Sequence, residues 1–279
     1  GSVSQHAQGF RTCSGSGLVA SIPPDRPDRV GLALATVVGE REARGVRDET
    51  LMLRVTDPRS AGESVRAAIE WAAQHGRRVV LRLAVNVRPA VVEACRDAGA
   101  VVLLELAHPA PDLQAALLGA PGSSAAAMLL QAQHLAAVGV PVGAVVGPLL
   151  PGLHDRPGEL APLWRHAVAA DVRDLYLARG PLTRSRLAAL ARTLGPGGMV
   201  GLARAFRFDP QAPGRGPWRA STAASRNLDV HVRREAQLSG FRLHGCDCPA
   251  MCHLNPVGSP SRTLIPVLGP GLFAGPASG

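Results

Sequence analysis

The chain has 279 residues and a net charge of +9, with every basic residue an arginine. Apolar residues make up 46% of the chain and aromatic residues only 3%, which indicates an α/β domain with an aliphatic core and excludes a disulfide-stapled secreted module. No apolar stretch reaches the roughly 18 residues of a membrane span and no signal peptide opens the chain, so we expect a cytoplasmic protein that does not enter a membrane.

The N-terminal residues 1–28 are predicted to form an arm outside the main domain. Gly1 and Ser2 resemble the remnant of an expression tag, so we expect native residues before Val3 to be missing. Cys13 lies in the glycine-rich run TCSGSG, which is typical of a flexible segment.

Six short apolar runs are predicted to be buried parallel strands, because they are rich in β-branched residues and nearly continuous in apolar character. These runs are 29–38, 50–57, 78–85, 101–107, 141–148 and 174–179. A second candidate for the first strand is 17–23. Alternation of strands with helices predicts an α/β fold with one parallel sheet, either doubly wound or curled toward a barrel. Both arrangements bind ligands at the carboxyl ends of the strands.

Helices are predicted between these strands. Ser60 and Glu63 have the spacing of a capping box, which predicts a helix start. Other helix boundaries are signalled by proline, hydroxyl caps and a terminal glycine at Pro89, Ser124, Thr183 and Gly195. After Gly195 we expect a turn-rich connector that includes 209–218, and then a helix over 222–238.

Three of the five cysteines stand within seven residues near the end of the chain, at Cys246, Cys248 and Cys252. Thiolates held this close repel one another unless a soft cation, such as zinc or the iron of an iron–sulfur cluster, shares their charge. The cluster therefore predicts a metal site with His253 as fourth ligand, or alternatively His244. Free or disulfide-linked surface thiols are the other interpretation. This use of cysteine fits a reducing compartment better than a disulfide framework.

One segment resembles a known family. The run 135–155, LAAVGVPVGAVVGPLLPGLHD, is similar to a helix–strand–PGLND segment of radical S-adenosylmethionine proteins in the spore photoproduct lyase branch, and Thr56-Asp57-Pro58 resembles that branch's TDP element. The match covers roughly residues 50–195. The resemblance implies a partial (βα)6-type TIM barrel that holds a [4Fe-4S] cluster and S-adenosylmethionine at its open end.

The chain departs from that family at the cluster motif. The family normally carries C-x3-C-x2-C after the first strand, but no cysteine follows the run 29–38 in its loop, and Cys13 precedes the run 17–23. Two interpretations follow. Either Cys246, Cys248 and Cys252 fold over the open end and bind a cluster there, or the radical site is lost and the cysteines form a structural zinc site.

The chain is predicted to have four parts: an N-terminal arm (1–28), a partial βα barrel (29–195), a C-terminal extension with the Cys-rich site (196–258) and an irregular tail (259–279). Strand alternation turns Glu105 away from Leu104 and Leu106, so Glu105 and Asp57 are the preferred polar groups for a ligand inside the barrel. Gly147 and Pro148, within the resembling run, are further candidates for cofactor binding.

Two functions are consistent with these features. The first is an atypical radical S-adenosylmethionine-like protein that acts on an unidentified substrate, nucleic acid or peptide, through its C-terminal metal site. The second is a pseudoenzyme that binds or regulates a protein partner and uses zinc structurally. The arginines of the C-terminal third form a solvated face or a surface that meets phosphates.

Overall fold

The computed structural model describes residues 8–12, 15–21, 27–46, 48–119, 122–209, 214 and 216–244. In this part of the chain, eight strands form one sheet whose spatial order follows the sequence. The strands are β1 (Gln8–Thr12), β2 (Gly15–Ser21), β3 (Asp48–Val55), β4 (Arg78–Leu83), β5 (Val101–Leu106), β6 (Val142–Leu149), β7 (Asp174–Arg179) and β8 (Arg242–His244). Strand β1 runs antiparallel to β2, and all later neighbours are parallel.

Each strand from β2 to β7 is followed by at least one helix, which gives six βα units. The helices are α1 (Pro27–Glu42), α2 (Glu63–Gln74), α3 (Pro89–Asp97), α4 (Pro111–Leu118), α5 (Ala125–Ala137), α6 (Ala161–Ala169), α7 (Arg184–Phe206) and α8 (Thr222–Leu238). This architecture confirms the predicted α/β fold of the partial (βα)6 type. Strand β8 adds a seventh parallel strand beside β7. None of the helices in the described ranges is both long and apolar enough to cross a membrane.

The main core lies between the helices and the outer face of the sheet. Successive side chains of a strand point to opposite faces, so Leu51, Leu53 and Val55 of β3 face the helices while Met52 faces inward. The inward residues form a smaller apolar cluster, which consists of Met52, Val80, Val101, Leu103, Val145 and Tyr176. Burial on both faces explains why the strands read as continuous apolar runs.

A third apolar cluster covers part of the carboxyl edge of the sheet. Ala107 and Leu150 directly follow β5 and β6, and Leu182 lies three residues after the end of β7. All three belong to one buried cluster with residues of α4 and α7. Helices α4 and α7 therefore lie over this part of the barrel mouth.

Three predicted helix boundaries are confirmed. Pro89 occupies the first turn of α3, where its missing N–H leaves no hydrogen bond unmade. The hydroxyls of Ser124 and Thr183 accept hydrogen bonds from the backbone N–H groups of Ala127 and Arg186, and so cap α5 and α7.

The predicted strand at 29–38 is wrong, because these residues belong to α1. Its buried residues Val30, Leu34, Val37 and Val38 recur at helical spacing, and a short apolar run does not distinguish a helix from a buried strand by composition alone. The first parallel strand is instead β2, which matches the second candidate. Residues 8–12 and 15–21, within the predicted N-terminal arm, thus contribute two strands to the sheet.

Two boundary predictions need correction. The capping box is wrong, because Gly62 occupies the N-cap of α2 without a side-chain hydrogen bond. Asp57 instead caps a short 3-10 turn at Pro58–Ser60. Gly195 does break α7, with a φ of +64°, but Pro196 starts a second helical segment that continues to Phe206. The predicted connector therefore begins later than expected.

Candidate functional site inside the barrel

The inner face of the sheet changes from apolar to charged toward the carboxyl ends of the strands. Met52, Val80 and Leu103 belong to the inner apolar cluster. The next inward residues along the same three strands are Arg54, Arg82 and Glu105, because side chains alternate with a period of two. The predicted ligand residue Glu105 therefore does face the barrel interior, and it lies among arginines.

Glu105 is held between two guanidinium groups. Arg54 donates from Nε to Oε1 and from Nη2 to Oε2, both at 2.7 Å, and Arg82 Nε lies 3.0 Å from Oε1. Burial alone would raise the pKa of Glu105, but the two arginines outweigh burial and hold this pKa below its usual value. The carboxylate is therefore charged, and it fixes the position of both arginines.

A second charged group lies on the inner face of β7 and β8. Arg242 binds Asp174 through Nε and Nη2 at 3.0 and 2.7 Å, and His244 Nε2 lies 2.7 Å from Asp174 Oδ1. The His244 ring also stacks on Tyr176 with centroids 4.7 Å apart. Although burial raises it, these hydrogen bonds lower the pKa of Asp174 to about 2. Asp174 thus orients the last residue that the structure describes.

Asp57 lies at the carboxyl end of β3, but its oxygens bind within its own loop. Oδ1 accepts a hydrogen bond from the backbone N–H of Arg59 at 2.9 Å, and Oδ2 accepts one from Arg59 Nη2 at 2.7 Å. These bonds lower the pKa of Asp57. The structure therefore gives Asp57 a turn-forming contact and does not bring it into the Glu105 cluster.

The glycines of the family-like run allow close backbone packing. A Cβ on Gly147 would lie 2.1 Å from the carbonyl oxygen of Ala178, and one on Gly152 would lie 2.3 Å from that of Gly201. Gly147 thus lets β6 and β7 approach each other at their carboxyl ends, beside Pro148. Packing accounts for both glycines, and ligand contact at Gly147 and Pro148 stays a prediction.

His154 has a structural role at the carboxyl edge. Its Nδ1 accepts a hydrogen bond from the backbone N–H of Leu150 at 2.9 Å, and its Nε2 donates to the carbonyl of Ala107 at 3.0 Å. Complete burial, together with nearby His108, lowers the pKa of His154 to about 4. The neutral ring therefore ties the loop after β6 to the loop after β5.

Of the charged residues on the inner face of the sheet, the sequence analysis predicted only Glu105 to face inward. Arg54 and Arg82 each interrupt an otherwise apolar strand, in the runs LMLRV and VVLRL. Such residues are rarely buried unless they are paired. This interruption is the signal by which they could have been found. Asp174 opens its strand and carries no comparable signal.

The predicted metal ligands Cys246, Cys248, Cys252 and His253 lie outside the described residues. Within the described ranges, no group of three or more His, Cys, Asp or Glu side chains is arranged to hold a metal ion. Cys95 is buried in α3, and burial raises its pKa to about 12, so it is unsuited to bind metal as a thiolate.

The residues at the family's usual cluster position do not fit an iron–sulfur cluster. The segment between β2 and α1 reads IPPDR and offers no thiol. Cys13 comes before β2 in the sequence, whereas the family's motif follows the first strand. By donor chemistry, the C-terminal thiols are the only set of three closely spaced cysteines in the sequence.

Comparison with known proteins identifies the fold. No protein-family model matches the chain, and no curated protein matches it. A solved structure of spore photoproduct lyase complexed with dinucleoside spore photoproduct is 16% identical, with a TM-score of 0.51, and the match covers 78% of this chain and 66% of that chain. A mutant lyase with bound S-adenosylmethionine and the same dinucleoside is 14% identical, with a TM-score of 0.52 and the same coverage.

A looser likeness is to Streptococcus suis SuiB bound to its precursor peptide SuiA, which is 12% identical with a TM-score of 0.47, over 85% of this chain and 46% of that chain. The chain spans 66% of the length of the lyase structures that it matches. The likeness to the lyase structures concerns the fold, and at that level it confirms the resemblance to the spore photoproduct lyase branch that the run 135–155 predicted.

Proposed function

We propose that the chain is an atypical radical S-adenosylmethionine-like protein in which a C-terminal metal site takes the place of the missing cluster loop. The proposed ligands are Cys246, Cys248, Cys252 and His253. The observation that carries this proposal is β8, because it attaches the C-terminal segment to the barrel directly before the cysteines.

The register of β8 limits where the first thiol can lie. His244 pairs with Tyr176 in the middle of β7. Cys246 follows two residues later, and two residues span at most about 7 Å. Chain connectivity therefore limits Cys246 to within about 7 Å of His244.

The alternation of β8 supports an inward direction for two of the thiols. Arg242 and His244 both reach Asp174 on the inner face, and Cys246 and Cys248 continue the same alternation in the sequence. An extended continuation of β8 would direct both thiols into the barrel, with Cys246 opposite Ala178.

The described residues would assist such a site in two ways. Asp174 and Tyr176 hold the ring of His244, two residues before Cys246, in a fixed orientation. Glu105 and its two arginines provide a fixed polar wall for S-adenosylmethionine or a substrate. When bound, an iron–sulfur cluster would supply the electron for reductive cleavage of S-adenosylmethionine.

The substrate class is proposed as nucleic acid or peptide. The lyase structures with the same fold contain a dinucleoside, and an interior with more guanidinium than carboxylate groups suits an anionic substrate. A protein partner is the alternative for the second function, in which the metal is structural zinc.

The test is metal analysis of three proteins purified and reconstituted without oxygen: the wild-type protein, Cys248→Ala and the control Cys13→Ala. We expect the wild-type protein and Cys13→Ala to be brown, with iron, sulfide and absorbance near about 400 nm, and Cys248→Ala to lose most of the metal. Equal metal in Cys248→Ala and the wild-type protein would overturn the proposal. Colourless protein that releases zinc on thiol modification would support the structural zinc function instead.

A further inference from the structure

Helix α7 and the segment that follows it concentrate the positive charge of the chain. Residues 184–226 contain eight arginines and a single acidic residue, Asp209, and so carry +7 of the net charge of +9. Three of these arginines, Arg204, Arg207 and Arg219, are exposed. None of the three forms an ion pair or a side-chain hydrogen bond with another described residue, so their charges are available to an anionic partner.

Exposed arginines on α2 and α3 differ, because acidic residues beside them neutralise their charge. Arg66 lies 2.6 Å from both Glu63 and Glu70, and Arg96 lies 2.8 Å from Asp97. Pairs of this kind keep the surface of a helix close to neutral. The arginine-rich composition of the whole chain therefore does not by itself leave a surface charged, and the end of α7 is charged because it lacks acidic neighbours.

Two contacts bring the end of α7 and the start of α8 side by side. The backbone N–H of Ser221 donates to the carbonyl of Ala205 at 3.2 Å. The rings of Phe208 and Trp218 lie with their centroids 5.6 Å apart and their planes at 48°. Because residue numbers rise on one side as they fall on the other, the two short segments that join these contacts run antiparallel.

Each of these segments contains an exposed arginine next to one of the two rings. Arg207 directly precedes Phe208, and Arg219 directly follows Trp218. Both rings are partly exposed. Neighbouring Cα atoms are only about 3.8 Å apart, so the four residues form one surface, which we call the arginine–aromatic surface. Arg204 lies one turn before Arg207 and extends its positive charge along α7.

The arginine–aromatic surface lies beside the mouth of the barrel. Leu182 and Trp218 exchange two backbone hydrogen bonds, both 3.0 Å long. Leu182 belongs to the loop after β7, and its side chain is part of the buried cluster that α4 and α7 cover. A ligand on this surface is therefore held next to the loops at the carboxyl ends of the strands.

Guanidinium groups beside partly exposed rings suit single-stranded nucleic acid. Arginine matches phosphate oxygens through its fork of N–H groups. Aromatic rings stack on unpaired bases, whereas the bases of a duplex already stack on one another. An acidic peptide would engage the arginines and leave the rings unused. The combination of charge and rings therefore favours a single strand over a peptide or a duplex.

We propose that the arginine–aromatic surface binds single-stranded nucleic acid, with phosphates on Arg207 and Arg219 and a base against Phe208 and Trp218. This inference rests on the nucleic-acid substrate class of the proposed function and selects that class over a peptide. The surface consists of described residues and requires no metal, so its test succeeds or fails separately from that of the metal site.

The test is fluorescence anisotropy of a labelled strand of about twelve thymidines, titrated with the full chain at several chloride concentrations. The double variant Arg207→Gln/Arg219→Gln should bind about 25-fold more weakly near about 0.1 M salt. The slope of log affinity against log salt should also become shallower by about 1.4, because each lost phosphate contact releases about 0.7 fewer counterions.

The matched control is Arg29→Gln/Arg96→Gln, which removes the same net charge from α1 and α3. The side chains of Arg29 and Arg96 are 68% and 52% exposed, and each is paired with a neighbouring aspartate. This control should change the affinity by less than about twofold and leave the salt slope unchanged, because neither residue adjoins the arginine–aromatic surface.

A second variant tests the rings without a change of charge. Phe208→Leu keeps an apolar side chain but removes a stacking partner of the base. Binding should weaken by about tenfold while the salt slope stays the same, because no phosphate contact is lost. Circular dichroism and thermal unfolding identify a variant that has failed to fold, and the exposed Arg207→Gln/Arg219→Gln variant then still decides the result.

Three results would overturn the inference. They are a double variant that binds like its control, a folded Phe208→Leu that binds like the wild-type protein, and displacement of the strand by poly-glutamate as readily as by unlabelled strand. The last would indicate an acidic peptide as the partner. Cys248→Ala, measured without metal, should bind the strand as tightly as the wild-type protein, so failure of the metal site and failure of this surface give different results.

Discussion

The two faces of the sheet differ in what they bury. The outer face of β3 to β5 packs aliphatic side chains such as Leu53, Leu81 and Leu104 against the helices. The inner face of the same strands begins apolar and ends with arginines and a glutamate. Because apolar packing needs no specific partner and a buried charge does, the outer face stabilises the fold and the inner face limits which ligands can enter.

The largest expected effect comes from truncating one neighbouring leucine on each face. Leu104→Ala should cost about 4 kcal/mol, because this fully buried side chain packs in the large outer core. Leu103→Ala should cost about 2 kcal/mol, because the inner cluster is small and borders a charged layer that can relax into the space. Urea unfolding measures both. Equal costs would contradict the division between the faces.

The buried histidine at the carboxyl edge should make stability depend on pH. The pKa of His154 is lowered to about 4 in the folded chain, so the unfolded chain binds the proton more readily between that value and the ordinary value of 6.5. Stability should be complete above pH 6.5 and fall by about 3 kcal/mol as the pH decreases toward about 4. His154→Gln should flatten this part of the curve in urea unfolding at several pH values.

The control for His154 is His166→Gln, which changes an exposed histidine on α6 and should leave the slope unchanged. A His154→Gln variant with the wild-type slope would show that a group other than His154 causes the pH dependence of stability. The carboxyl edge would then not be its source.

Neutralising the inner carboxylate should cost less than truncating the outer core. Glu105→Gln leaves Arg54 and Arg82 without their counter-charge, and we expect a loss of about 2 kcal/mol because Arg54 can turn toward solvent. Glu63→Gln is the matched control, since Glu63 forms an exposed ion pair with Arg66 and should contribute less than about 0.5 kcal/mol. Equal effects in chemical unfolding would mean that the inner ion pairs behave like surface pairs.

The smallest effect is expected at the acidic end of the pH range. The pKa of Asp174 is lowered to about 2 in the folded chain, so its ion pairs should be complete above about pH 4 and be lost as the pH falls toward 2. Allowing for solvent near Arg242, whose side chain is 71% exposed, we expect a contribution of about 1 kcal/mol. Thermal unfolding of the wild-type protein and of Asp174→Asn between pH 2 and pH 5 measures this contribution. A difference in stability between the two proteins that stays constant across this range would contradict the prediction.

Much of the outer face could be predicted from sequence. The apolar runs of β3 to β7 and the caps at Ser124 and Thr183 follow from local patterns that packing reinforces. The strand predicted at 29–38 is wrong because α1 has an apolar buried side that includes β-branched residues, so its composition favoured a strand.

The inner face could be predicted only in part. The inward direction of Glu105 follows from alternation within one strand. Its partners depend on which strands are neighbours and in what register, and local sequence does not encode that. Asp174 and His244 meet across 70 positions of sequence for the same reason.

The short length of β8 has a consequence for association between molecules. Its three residues pair with Asp174, Leu175 and Tyr176, and within the described part of the chain the rest of that side of β7 has no strand beside it. An uncovered sheet margin offers backbone donors and acceptors to any extended polypeptide. Residues 242–244 cover the first part of this margin and keep its backbone groups from such pairing.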